Sequence, residues 1–204
     1  MQPANKQQLR TQETQSLLLD AAEEIFIRDG FEGAQLDEIA ALAGRSKGAV
    51  YAHFKNKEDL FLALFEHRVT SYIARLNDAL LRCTSRHQAL QSFRDFYTGL
   101  VTDQKWSILT LEFKLYALRH PESQEHLRKA FELSKATANN SLHERMFGHL
   151  TPEQKIDNDL ALIALGPFIS GLILESHFEP EHLTESAMRR VLGRVFDAFF
   201  PAGR

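Results

Sequence analysis

Apolar residues return every three or four positions through almost the whole chain, and no stretch alternates with a period of two for long. This pattern predicts helices and no strands. The first helix is predicted from about Thr11 to Asp29, with Leu18, Ala21, Ala22, Ile25 and Phe26 on its apolar stripe. Gly30 stands where a left-handed stop is wanted, and Phe31 follows as an anchor into a small core. A short second helix spans Leu36 to Ala43 and ends at Gly44. A third spans Lys47 to Phe54, with Ser46 as its N-cap. Asn56, with Asp59 three residues on, opens a long fourth helix that reaches about Leu81.

After a break at residues 83–87 the pattern changes, and large apolar residues dominate. A helix from about His87 to Thr102 presents Leu90, Phe93, Tyr97, Leu100 and Val101. The next, about Trp106 to Arg119, is apolar on more than one face and is expected inside its domain. Pro121 breaks the chain, a long helix follows to about Phe147, and Gly148 and Pro152 mark a loop. Two helices close the chain, about Leu160 to His177 and Leu183 to Phe200. Gly166 and Pro167 lie within the first of these, where proline removes a backbone hydrogen bond and kinks a helix. Such a kink opens space for a ligand or solves a local packing problem. The apolar run from Leu160 to Leu174 is interrupted by Gly166, Pro167, Ser170 and Gly171, and is expected to be too short to span a bilayer comfortably.

Composition narrows the class. The 204 residues suit one large or two small domains, and 44% are hydrophobic, enough for a real core. The net charge is -3, so the summed field would not draw the protein to a polyanion, and any such binding needs a local patch. One exists. Between Glu38 and Glu58 there is no acidic residue, while Arg45, Lys47, His53, Lys55 and Lys57 fall in that interval with Tyr51. The single cysteine, Cys83, forms no intramolecular disulfide and is expected to be inert. The polar start lacks a signal-peptide core, and the expectation is a soluble, cytoplasmic protein. No histidine has metal-ligand spacing, and there is no phosphate-cradling glycine loop or nucleophile motif. Neither metal, cofactor nor enzymatic activity is expected.

Residues 36–54 have the packing logic of a helix-turn-helix. Ala40 is small where two helices cross closely, Gly44 tolerates positive φ in the turn, and Val50 closes the wedge. The geometry leaves the N-terminal half of the second of these helices free to enter a major groove, with residues 45–49, RSKGA, toward the base edges. Ser46 and the helix N-terminus suit a phosphate, and Gly48 and Ala49 allow close approach, Ala49 suiting a thymine methyl.

These residues carry a resemblance. The stretches LLLDAAEEIFIRDGFEGA (17–34) and LDEIAALAGRSKGAVYAHFKNKEDLFLALFE (36–66) resemble the tetracycline-repressor-like (TetR) transcriptional regulators, whose fragment AxxAGxSKGxxYxHFxxKExL stands here almost intact. It covers about the first third of the chain. The resemblance implies that Tyr51 and His53 contact phosphates, that Lys57 clamps another, and that Lys47 meets a phosphate or a base. Arg45 stands where the family often has a small apolar residue. There it either reads guanine bidentately or is a solvated turn residue. Gln35 departs from the family's Thr or Ser cap; it caps poorly but can reach a phosphate. Lys6 and Arg10 form either an arm near the minor groove or a frayed, solvated end.

The same resemblance implies residues 1–58 as a three-helix DNA-binding domain and residues 59–204 as an all-α effector-binding and dimerisation domain, joined through the fourth helix. An apolar or aromatic effector would bind one quaternary arrangement better than the other and release a palindromic operator. Candidates for its pocket are Phe93, Tyr97, Trp106, Phe113, Tyr116, Asn140 and Phe168, although for any single aromatic at helical spacing core is the better reading. The last two helices offer apolar stripes for a two-fold four-helix bundle: Leu165, Ile169 and Leu172 with Val191, Val195 and Phe199, while Gly166, Gly171 and Gly193 permit close approach. The alternative is a helical protein-interaction module that has lost specific DNA binding.

Overall fold

The computed structural model describes residues 6–137 and 146–201, and every regular element among them is helical. The order is α1 (Lys6–Gly33), α2 (Leu36–Leu42), α3 (Lys47–His53), α4 (Lys57–Leu81), α5 (Arg86–Gly99), a 3-10 turn (Leu100–Thr102), α6 (Gln104–Arg119), α7 (Pro121–Thr137), α8 (Pro152–Ser176) and α9 (Glu185–Phe199). The all-α expectation holds.

Packing groups the chain into two compact units, one of Met1–Val69 with Glu112–Leu133, the other of Thr70–Leu111 with Ser134–Arg204. Three helices contribute to both: α4 changes unit after Val69, α6 after Leu111 and α7 after Leu133.

In the first unit, α1 begins at Lys6 rather than Thr11, so Lys6 and Arg10 are helical and not a loose arm. Its regular geometry fails at Gly30, whose φ of 74° and ψ of 173° suit glycine alone. Leu18, Ala22, Ile25 and Phe26 face inward, as the stripe requires. Phe31, Ile39, Val50, Leu60 and Phe61 are likewise fully buried or nearly so, and the Phe26 ring meets those of Phe31 and Phe61. Phe61 stacks on Phe113 with ring centroids 4.1 Å apart, and Phe31 meets Phe113 edge-on at 4.8 Å. Aromatic pairs in these geometries add stability beyond their buried area.

The start of α4 has a local cause. Asn56 accepts the Asp59 N–H at 2.8 Å, and Asp59 accepts the Lys55 N–H at 2.9 Å, a reciprocal cap that fixes the corner before α4. The carboxylate of Glu112, on α6, accepts the Phe31 N–H at 2.8 Å, just past the break at Gly30. Ser123 on α7 donates to Glu58 at 2.6 Å.

The second unit is built on a cluster that includes Phe93, Tyr97, Leu165, Ile169, Ile173, Leu192 and Phe196. Tyr97 donates its hydroxyl to the Leu165 carbonyl at 3.1 Å, and burial holds its pKa above the ordinary phenol value. α8 starts eight residues earlier than expected. Thr151 and Gln154 form a full capping box, and Pro152 occupies the first turn, where proline is tolerated. The helix runs on through Pro167 to Ser176, 25 residues in all. By length and composition the whole helix, longer than the run from Leu160 to Leu174, is apolar enough to cross a membrane. α6 also departs from its reading: Trp106, Leu109, Phe113 and Ala117 are buried, but Leu115 and Leu118 are exposed, so the helix has a wet side.

Candidate nucleic-acid interface

The helix-turn-helix forms at the expected place. Ile39 and Ala40 of α2 are buried, and Val50 is the buried residue of α3. Gly44 has a φ of 63°, and the turn closes through Arg45 N–H to the Ala40 carbonyl at 2.9 Å. Ser46 caps α3 by accepting the Ala49 N–H at 3.2 Å. Gln35 makes no cap on α2; its side-chain amide donates instead to the Gly33 carbonyl at 3.2 Å. Acidic Asp37 and Glu38 in the first turn offset the loss through the helix dipole.

With its apolar side held by Val50, α3 turns its other residues outward. Ser46, Lys47, Gly48 and Tyr51 are exposed, Tyr51 to 50%, and Arg45, Ala49 and His53 are half-buried. A Cβ added at Gly48 would meet only the Ser46 hydroxyl, at 3.7 Å, so no neighbour in this chain requires a glycine there. Arg45 donates to the Gly44 carbonyl at 3.2 Å and lies in no ion pair among the described residues. The structure thus brings Arg45, Ser46, Lys47, Gly48, Ala49, Tyr51 and His53 together on one short element and the turn before it.

Two of the expected cations are otherwise engaged. Lys47 pairs with Asp37 at 2.8 Å, a partner one residue outside the acid-free interval, and this hydrogen bond raises the Lys47 pKa. Both groups are more than half exposed, so the pair is weak and exchangeable. Lys57 was expected to clamp a phosphate. Its ammonium donates to the carbonyls of Glu32 at 2.7 Å and Ala34 at 3.1 Å and lies 5.1 Å from the Phe31 ring centroid. Partial burial lowers its pKa. Two of its three N–H groups are therefore spent on holding the α1–α2 connection. Lys55, exposed in the turn after α3, lies in the basic interval but outside the residues expected to touch DNA.

The expected pocket residues are divided between the two units. Phe93, Tyr97 and Trp106 are buried in the second unit, Phe113 and Tyr116 belong to the first, and Phe168 is 44% exposed. Asn140 lies outside the described residues. The split arises because α6 changes unit at residue 112, which periodicity alone does not reveal. Of the expected dimer residues, Leu165 and Ile169 are 5% and 6% exposed and face their own core. Leu172 and Phe199 pack partly against that core, Val195 is half-buried, and Val191 is exposed. The exposed large apolar residues of α8 are instead Ile156, Leu160, Ile163, Phe168 and Leu174. Gly193, expected to admit a partner helix, accommodates the guanidinium of Arg94, which crosses it to pair with Asp197 at 2.7 Å. Cys83 is half-buried, with its sulfur 3.4 Å from the Ala79 carbonyl oxygen and 3.3 Å from the Ser92 hydroxyl.

Comparison with known proteins agrees with this geometry. The family described as "Bacterial regulatory proteins, tetR family" matches residues 18–64. The transcriptional activator FasR of Mycolicibacterium smegmatis is 38% identical over 88 residues, 41% of this chain and 40% of that protein. The fatty acid metabolism regulator protein of Bacillus subtilis is 29% identical over 94 residues, 46% of this chain and 48% of that one. The chain thus spans about half the length of these curated relatives. The crystal structure of FadR from Bacillus subtilis, in complex with stearoyl-CoA, superposes with a TM-score of 0.65 at 19% identity, over 93% of this chain and 99% of that one. At that identity the likeness is one of fold. The helix-turn-helix, its cap and turn, and the match over residues 18–64 make the N-terminal part of this chain similar to the tetR family of bacterial regulatory proteins.

Proposed function

We propose that this protein is a cytoplasmic, homodimeric transcriptional regulator that represses genes by binding a palindromic operator and releases it on binding a small apolar or amphipathic effector. The observation that carries the reading is the outward side of α3. It combines exposed Lys47, Gly48 and Tyr51 with Arg45 at its entrance, and its one acid partner is exchangeable. In this reading Gly48 and Ala49 approach the base edges, and Arg45 reads guanine. Tyr51 and His53 hold phosphates, with Gln35 and Ser46 at the rim. Lys47 trades Asp37 for phosphate. Lys57 positions the corner and offers its third N–H.

Residues 1–58 serve DNA and residues 59–204 serve effector and partner, with α4 as the lever, since it contributes residues to both compact units. The stearoyl-CoA in the Bacillus subtilis neighbour supports an effector that has an apolar part. Two protomers pair through the outward faces of α8 and α9, which sets two recognition helices about 34–36 Å apart, one DNA turn. A second copy suits the exposed row of α8 better than lipid does, because Glu153, Lys155, Asp157 and Asp159 crowd its first turns and its inner side is already buried in this chain.

A salt titration of binding to the DNA flanking the protein's own gene tests the reading. About four phosphate contacts per protomer give a log–log slope on the order of -7 for the dimer. Affinity indifferent to salt, or retained when Tyr51 and Arg45 are both changed to alanine, would overturn it. Loss of the gene should raise expression of the neighbouring genes if the protein represses.

A further inference from the structure

A groove in the second unit contains none of the residues expected to meet an effector. It lies among α5, the segment 146–150, α8 and the end of α9. Two adjoining cavities of about 280 and 330 Å3 share Arg86, Leu90 and Phe200 as walls. Phe147, Leu150 and Phe199 extend the apolar surface of the first.

The charges in this groove are unevenly satisfied. Arg94 and Asp197, which line the second cavity, neutralise each other through two hydrogen bonds of 2.7 and 3.0 Å. Arg86 is different. Its Nε donates to the Met146 carbonyl at 3.0 Å, which fixes the stem, and its two terminal amino groups have no partner among the described residues. An anchored guanidinium with its fork free is preorganised for a carboxylate. His87 and His149 line the same groove and add no negative charge. Asp157 lines the first cavity and weighs against dianions. The volumes sit at the lower end of small-molecule sites, about 300 Å3, so the bound body must be small.

We propose that this groove binds a small amphipathic monoanion, a carboxylate on an aryl or short alkyl body. The carboxylate sits on the Arg86 fork and the body lies against Leu90, Phe147 and Phe200. The inference gives a ligand class to the effector reading and rests on that reading only for its consequence at DNA; binding itself stands alone.

Calorimetric titration of the full chain with 4-phenylbutanoate and octanoate, each beside its primary amide, tests it. The acids should bind at least about tenfold tighter than the amides, because the charge-assisted fork is lost in the neutral form. Arg86→Gln should remove that difference while circular dichroism and the melting temperature show an intact fold. Leu90→Trp, which fills the groove and keeps Arg86, should block acid and amide alike. Equal affinity of acid and amide, no binding of either acid, or an acid preference that survives Arg86→Gln overturns the proposal. Operator retention measured in the same samples separates the two readings. Acid binding without DNA release sustains the site and removes the effector role, whereas release by the acids from the Arg86→Gln protein does the opposite.

Discussion

Gly48 lowers the helical stability of α3, and its own chain gives no steric reason for it, since an added methyl group would meet nothing closer than 3.7 Å. Replacing glycine by alanine inside a helix stabilises by up to about 1 kcal/mol. Gly48→Ala should therefore raise the unfolding midpoint while weakening operator binding several-fold, read by thermal melts and fluorescence anisotropy on the same samples. A variant more stable and equally tight on DNA would show that nothing approaches this position closely. Asp37 offers a second residue-scale test. It holds Lys47 in a solvent-exposed pair, so Asp37→Asn should free the lysine, tighten DNA binding at low salt and steepen the salt slope by up to about one per protomer. An unchanged slope would remove Lys47 from the contact set. That pair was not legible in the sequence. Its members are ten positions apart and meet only because the turn at Gly44 brings the start of α2 near the start of α3.

The short elements of the first unit were readable because each start and stop rests on a residue with one local job. Gly30 and Gly44 take positive φ, Ser46 caps α3, and Asn56 with Asp59 caps α4. The missing cap at Gln35 was equally readable. Beyond the local rule, the break at Gly30 gained a partner that no pattern shows, the carboxylate of Glu112 on the Phe31 N–H. A Cβ at residue 30 would fall 2.6 Å from that carboxylate, on a backbone conformation that side chains rarely adopt. Gly30→Ala should cost about 1–3 kcal/mol from the backbone alone, with the collision adding to it, measured by urea denaturation. Combining it with Glu112→Ala should recover the collision and leave the strain, so the two changes should not be additive. Simple additivity would mean that the carboxylate moves aside without cost.

α8 was the least legible element, and the reason bears on the whole molecule. Its apolar residues surround the helix, so no periodicity separates an inner side from an outer one. Leu165 and Ile169 consequently read as a partner surface and turned out to be core. α9 is more plainly two-sided, with Met188, Leu192 and Phe196 inward, yet even there Gly193 serves Arg94 of the same chain. Where the two sides of α8 do differ is in what a charge would do. Ile163 and Leu174 are 50% and 41% exposed in a single chain. If a second copy covers them, Ile163→Glu with Leu174→Glu should leave each protomer folded, with unchanged helical content. Sedimentation should then give a single-chain mass in place of a dimer. Operator affinity should fall by orders of magnitude, because one recognition helix reads only a half-site. Leu165→Glu should behave in the opposite way. It buries a charge without a partner in the cluster around Tyr97 and Ile169, and should unfold the second unit rather than split a dimer. A folded, dimeric protein after the double change at 163 and 174 would move the interface off α8. Monomers produced by Leu165→Glu without loss of structure would mean that the inner and outer sides of α8 have been assigned the wrong way round.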